Sequence, residues 1–395
     1  MRLLLGSLIL IPMVAVTQPL PTESGIEEPL CNIESDSLQY SGDATDYYAV
    51  ATNLFGVSKR ELRQATTNRG EAGRVAIKPG VRFGYRREMG PLTAASLRLS
   101  YAEGVANIEA GISTKGWYDV RIGGENLFSD ANVVLAYEAS TEQMPVCFYG
   151  LGFLAPRRNA RTKYYRHISE AKLAYMQRAA DNLWFGIGAN YSFVRSRRMS
   201  RLGLEYLQEA GEVLNQIRTA SIVGVIRYDS HRREDNVERG VRFTLMQAMH
   251  PNILTDYTHT LWHTSLRVDT YCPLWQGATW ITDIVGELWS YHTPWLLWPS
   301  AGIDRRLRIY SYGSYVDRNM IAAHAVVRQH LYGPFGVEVW GGAANVFSKS
   351  IRWSQMLPSY GLGVRVNLGR GLMLGLGYGR GRAVDGVVIY VNEEF

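Results

Sequence analysis

From about residue 72 onward, apolar and polar residues alternate in runs that are broken roughly every 15 to 25 residues by Gly, Asn, Asp or Pro, the punctuation of short strands. Over 258–270 one face carries His259, Leu261, His263, Ser265, Arg267 and Asp269, and the other carries Thr260, Trp262, Thr264, Leu266 and Val268. Over 279–289, Asp283 and Glu287 share a face opposite Trp280, Ile284 and Leu288. A period of two predicts strands. Little helical pattern intervenes, so successive strands are expected to pair as antiparallel hairpins. A charge at mid-bilayer on a lipid-facing row costs about 2 to 4 kcal/mol, so the charged rows are expected to face inward and the apolar rows outward. The chain ends in the same manner. Val387, Ile389, Val391 and the terminal Phe395 fall on one strand face, with Glu393 the polar interruption. That is a closing strand, and a barrel needs one because it has no free edge. The fold class predicted is all-β, a closed antiparallel transmembrane β-barrel. Roughly 320 residues at about 20 per strand and connection give about 16 strands.

The chain before residue 72 reads differently. Met1-Arg2 followed by the apolar run 3–16 has the length of a secretory signal rather than a spanning helix, with cleavage expected near Thr17, so 1–17 is read as a signal peptide. Residues 18–71 are polar, with acidic residues scattered over 23–36 and a possible short helix over 48–66. This stretch is too short for a typical domain and is read as a periplasmic extension or a plug segment, leaving 72–395 as the barrel. The stretch 196–217, with Leu202, Leu204, Leu207 and Leu214, is expected to add a short helix in an extracellular loop.

Composition fits a barrel without proving one. The mean hydropathy of −0.13 resembles that of a soluble protein, which alternation also produces. The 24 Tyr, 10 Trp and 39 Gly suit interfacial girdles and tight bends, and suit a secreted β-sandwich as well. The three cysteines, Cys31, Cys147 and Cys272, are too few for a disulfide scaffold, and an odd count leaves at least one unpaired or intermolecular. The net charge is +6, yet the basic residues are scattered among carboxylates, which argues against nucleic-acid binding and for ion networks on inward faces.

Enzyme chemistry finds little support. His263 and Ser265 lie two apart on one strand face and could supply a base and a nucleophile to a lipid acyl hydrolase. The alternation turns them inward beside Arg267 and Asp269, where a hydrogen-bonded network is the better reading. No GxSxG, HExxH or Walker sequence is present, the eight His are dispersed, and neither a catalytic site, a metal nor a cofactor is expected.

Specific motifs carry the argument further. The segment 308–319 reads RIYSYGSYVDRN. It resembles the lid-loop motif of the BamA/TamA outer-membrane superfamily, the bacterial surface antigen family, with Arg308, Tyr310, Gly313, Tyr315, Asp317, Arg318 and Asn319 at the matching positions. The stretches 333–347 and 358–365 are similar to the family's following strands, 228–240 to an earlier turn with extra residues inserted, 148–152 to another segment, and 392–395 to the usual ending. Their order agrees over most of 72–395. The resemblance implies a barrel of the Gram-negative outer membrane, an inward-folded lid loop, and a role in outer-membrane protein assembly, insertion or transport. It also implies outer-membrane lipid and lipopolysaccharide as surroundings, with periplasmic or lipoprotein subunits as partners. A passive or gated solute channel is the alternative function. Two departures stand out. The family's lid arginine pairs with acidic residues on neighbouring strands, but the matching positions here are Val326 and Gly342, so Arg308 is expected to pair with Asp283, Glu287 or Glu338. Family members that insert or translocate proteins carry POTRA domains, and 18–71 is too short for them, so the chain is read as a barrel-only member. The glycines of the final region, including Gly369, Gly371, Gly375, Gly377, Gly379 and Gly381, are expected either to make that part deformable or simply to permit tight bends.

Overall fold

The computed structural model of the chain describes residues 38–42, 76–86, 89–101, 104–128, 132–154, 162–234, 237–302, 307, 309–310, 312–369, 372–382 and 384–391. The expected signal peptide, the possible helix over 48–66, Cys31, Arg308 and the terminal 392–395 lie outside these residues. The described strands form one 18-stranded sheet and a separate two-stranded hairpin.

Alternation does become strands. They run β1 (Leu38–Gly42), β2 (Ala76–Arg86), β3 (Gly90–Tyr101), β4 (Gly104–Ser113), β5 (Tyr118–Phe128), β6 (Val133–Phe148), β7 (Thr162–Ala180) and β8 (Leu183–Arg197). After the helix α1 (Arg201–Glu209) come β9 (Gln216–Asp229), the short β10 (Arg232–Glu234), β11 (Val237–His250), β12 (Leu261–Pro273) and β13 (Ala278–Trp289). The hairpin β14 (Ser300–Ala301) and β15 (Tyr315–Val316) is followed by β16 (Asn319–His330), β17 (Phe335–Phe347), β18 (Leu357–Gly369), β19 (Leu372–Gly381) and β20 (Val384–Val391).

The main strands form an antiparallel meander. Each strand from β2 to β9 pairs with the next, β9 pairs with β11, and the succession continues through β12, β13, β16, β17, β18, β19 and β20. Short connections at one end, such as the two residues 181–182 between β7 and β8, alternate with long ones at the other, 149–161, 198–215, 251–260, 290–318 and 348–356. In the tight turn 181–182, Asn182 takes φ 67°, a left-handed conformation that asparagine tolerates and the hairpin twist favours. The last strand has a second neighbour: β1 runs parallel to β20, from Leu38 opposite Val387 to Gly42 opposite Val391. Val387, Ile389 and Val391 therefore lie in a paired strand, and their predicted companion Phe395 falls outside the described residues.

The faces divide as the alternation predicts. On β12, Leu261, Ser265, Asp269 and Tyr271 are buried while Trp262 is exposed; on β13, Asp283 and Glu287 are buried while Trp280 and Leu288 are exposed. The exposed face carries Ile112, Ile187, Val339, Leu362, Val364 and Leu376. Trp275, Tyr332 and Phe335 stand near the short-turn end, and Tyr191, Trp262, Tyr360 and Tyr378 sit nearer the long-loop end.

The glycines of the last strands have a packing reason. A Cβ at Gly361 would meet the Trp340 ring at 2.4 Å, and one at Gly377 at 2.5 Å. The indole of Trp340, 2 % exposed, thus lies flat across β18 and β19 where no side chain could stand. At Gly379 and Gly381 the space is taken by Ile309, at 2.8 and 2.6 Å, which belongs to the long 290–318 connection. Neither expected reading, deformability or tight bends, included this one: Gly377, Gly379 and Gly381 leave room for a large neighbour. Cys147 is disulfide-bonded and Cys272 is free and exposed, in line with an odd count.

Candidate functional site

The buried face of the sheet is ionic. Lys172 meets Glu170 at 2.6 Å and Glu138 at 3.8 Å. Asp229 takes Arg227 at 3.2 Å and Arg242 at 3.7 Å. Arg308 lies outside the described residues, so its pairing is not seen; among the described residues Asp283 meets Arg267 at 3.6 Å, Glu338 meets Arg365 at 3.7 Å and Arg328 at 3.9 Å, and Glu287 meets His263 at 2.6 Å and the Ser265 hydroxyl at 2.8 Å. Opposite signs on neighbouring strands let these charges stay out of bulk water, because each has a partner. The last of these contacts also bears on hydrolase chemistry. Ser265 donates to Glu287 rather than to His263, so one carboxylate holds both groups.

Over this face folds the segment 290–318, rich in aromatic residues that need burial. Its 3₁₀ turn, Trp295–Leu297, is buried throughout. The Trp295 ring lies 5.6 Å from Phe148 and 5.7 Å, edge-on, from Tyr164. Its indole N–H donates to the Leu214 carbonyl at 2.9 Å, and its backbone N–H donates to Glu212 at 3.1 Å. Phe148 ends β6, Tyr164 begins β7, and Tyr206 of α1 closes the cluster 6.1 Å from Phe148. The helix expected in 196–217 thus caps the aromatic pocket. Ser200 starts it, its hydroxyl accepting from the Gly203 N–H at 3.4 Å.

The motif residues tie the rest of the segment down. The Tyr310 hydroxyl donates to the Pro358 carbonyl at 2.8 Å and accepts from the Arg382 N–H at 2.8 Å, which pins it to β18 and to the turn after β19. Burial pushes this phenol up to about 12. Gly313 has φ +84°, and a Cβ there would stand 2.5 Å from the Cys147 carbonyl and 2.6 Å from Val146, so only glycine lets the segment lie this close to β6. Tyr315 packs edge-on against Tyr310 at 5.7 Å and beside Phe153 at 6.0 Å. The guanidinium of Arg318 covers the Tyr291 ring at 4.6 Å and the Trp298 ring at 5.5 Å. Asn319 accepts from the Trp289 N–H at 2.9 Å, and Asp317 accepts from the Arg318 N–H at 2.7 Å. The Val316 carbonyl receives the Gly152 N–H at 2.6 Å, which brings the 148–152 stretch against the motif. Beneath Leu297 remains a cavity of about 100 Å³ that Arg166, Ser192, His250, His263 and Trp289 help to line.

Phe148 belongs to a stretch the sequence singled out, whereas Tyr164, Arg166 and Tyr206, which also meet the described residues of 290–318, were not named. They are separated widely in sequence, and the signal available was the inward phase of Tyr164 and Arg166 on one strand.

No protein-family model matches the chain, and no curated protein matches it in sequence. Solved structures do. BamA from Haemophilus ducreyi lacking POTRA domains 1–3 superposes with a TM-score of 0.58 at 14 % identity, over 79 % of this chain and 68 % of that one. The chain has a BamA-like fold. CdiB from Escherichia coli gives 0.55 at 10 % identity over 91 % and 76 %, and CdiB from Acinetobacter baumannii 0.50 at 10 % over 78 % and 56 %. Within this BamA-like fold, the described residues of 290–318, called the lid below, pack on the buried, charged face of the sheet.

The lid has its own pH dependence. Burial holds the Glu212 carboxyl above its ordinary 4.5 and Asp317 above its ordinary 3.8, against the downward pull of the Trp295 and Arg318 N–H groups and the Arg318 charge. A carboxyl whose folded value is raised contributes stability that is complete below its unfolded value and lost as pH rises through the folded one. Acidification from pH 7 to about 4.5 is therefore expected to raise the amide protection factors over 293–298 and 315–318, rates being taken against the intrinsic rate at each pH. Lower protection factors in that window would show that other groups control docking.

Proposed function

We propose that the chain is an integral outer-membrane β-barrel whose lumen is occupied by its own lid, and that it serves outer-membrane protein assembly or transport. One observation carries this reading: the sheet is inside-out, with buried Asp119, Arg227, Asp269, Asp283 and Glu338 on one face and exposed Ile, Leu and Val rows on the other. Soluble proteins rarely expose apolar patches beyond a few hundred Å², so a face of this kind calls for an apolar solvent. The aromatic residues at the two ends would sit at the headgroup levels, among lipid and lipopolysaccharide. Closure would run from β20 through β1, which pairs with it, to β2, and the long connections would project outward from the cell. The likeness to BamA and CdiB supports the same solvent and a physical, non-covalent mode of action: the lid moves, and the lumen or the seam becomes accessible. Periplasmic or lipoprotein subunits would be its partners.

A gated solute channel is the second reading, favoured by the ionic lining and the cavity beneath Leu297. Fractionation with semi-native electrophoresis tests the shared premise. The protein is expected in the outer-membrane fraction, with a fast-migrating folded band that slows on boiling. Recovery in the periplasmic fraction with one heat-independent band would overturn it.

A further inference from the structure

What keeps the lid down is a question of where a buried cation finds its acceptors. Arg166, on β7, is 5 % exposed and its Nη2 donates to the Leu296 carbonyl of the lid at 3.2 Å. The same guanidinium stands 5.8 Å from the centre of the Tyr312 ring, also in the lid. Behind it on β6, Glu142 is 4 % exposed and accepts the Trp117 indole N–H at 2.6 Å. Tyr312 feels both: burial pushes its phenol up, Arg166 pulls it down and Glu142 pushes it up. Leu296 and Tyr312 are thus gripped from one wall residue, 16 positions apart in a single lid.

On the far strands the lid is held by a neutral group, the Tyr310 hydroxyl between the Pro358 carbonyl and the Arg382 N–H, and among the described residues Asp283, Glu287 and Glu338 engage groups of the wall itself. A planar guanidinium can serve a carbonyl and an aromatic face together, which an ammonium cannot. With the lid seated, Arg166 has protein acceptors; with the lid raised, water in the lumen replaces them. Neither state strands the charge, which is the property of a latch rather than of a permanent structural pair.

We propose that the lid is held by a reversed lock, in which the barrel wall supplies the cation, Arg166, and the lid supplies the acceptors, the Leu296 carbonyl and the Tyr312 ring. This rests on the reading of the lid as the closure of a membrane pore. Arg166 is a positioning residue that sets how much of the time the lid is down.

The test is single-channel recording of the full mature chain in planar bilayers. Arg166→Met, which keeps the stem, is expected to raise the open fraction about tenfold or more, the scale of a lost charge-assisted hydrogen bond. Arg166→Lys is expected to restore closure only in part, and Arg308→Met to change the open fraction less than about twofold, since the lock is placed on the wall. Tyr312→Leu, a lid change that leaves the wall intact, is expected to open the pore in its own right and to add little in the Arg166→Met background. Equal opening by Arg308→Met with none by Arg166→Met or Tyr312→Leu would overturn the reversed lock while leaving the lid as a plug. A pore that stays shut when 303–315 is deleted would overturn the closure reading and the lock with it.

Discussion

Trp295→Ala frees the lid. The ring is 3 % exposed, wedged between Phe148 and Tyr164, and its N–H is spent on the Leu214 carbonyl. Truncating a buried tryptophan to alanine costs about 3–5 kcal/mol, and here much of the loss falls on docking because Phe148, Tyr164 and the Leu214 carbonyl lie outside the lid. The Leu214 carbonyl is also left without its donor. The sheet keeps its pairings, so the expected result is a protein that still shows a heat-sensitive folded band while amides over 295–298 exchange much faster. Unchanged exchange would mean that the aromatic cluster is incidental to docking.

Gly313→Val has the second largest effect, for a different reason. Left-handed backbone costs a side-chain-bearing residue about 1–2 kcal/mol, and overpacking adds about 1–3 kcal/mol. The obstructing atoms are the Cys147 carbonyl and Val146 of β6, part of a paired strand that cannot retreat. Relief therefore comes from the lid lifting off β6. Limited proteolysis between 303 and 315 should become fast in intact membranes, with Gly313→Ala intermediate. Resistance equal to wild type would contradict the close approach that the glycine is held to serve.

Much of this was legible in the residues. The faces of 258–270 and 279–289 follow from period two alone, since burying Asp269, Asp283 and Glu287 beside exposed Trp262, Trp280 and Leu288 is a local consequence of the pleat. The lid motif was legible as a resemblance, and Tyr310, Gly313, Tyr315, Asp317, Arg318 and Asn319 all make contacts that fix the segment. The docking of Trp295 was not legible, because Phe148, Tyr164 and Tyr206 meet it only after the strands are paired. The meaning of the late glycines was hidden for the same reason: Gly377 is small because Trp340, far away in sequence, needs its space. His263 and Ser265 were read as part of a hydrogen-bonded network, and what one strand could not show is that the neighbouring strand supplies its carboxylate, Glu287.

The most direct test of the account is the conductance of the refolded mature protein in planar bilayers, wild type against a deletion of 303–315. A lumen closed by its lid predicts a nearly silent wild type and a large, stable pore in the deletion. Steady conduction by the wild type that the deletion leaves unchanged would contradict the lid as the closure and give first place to a passive channel.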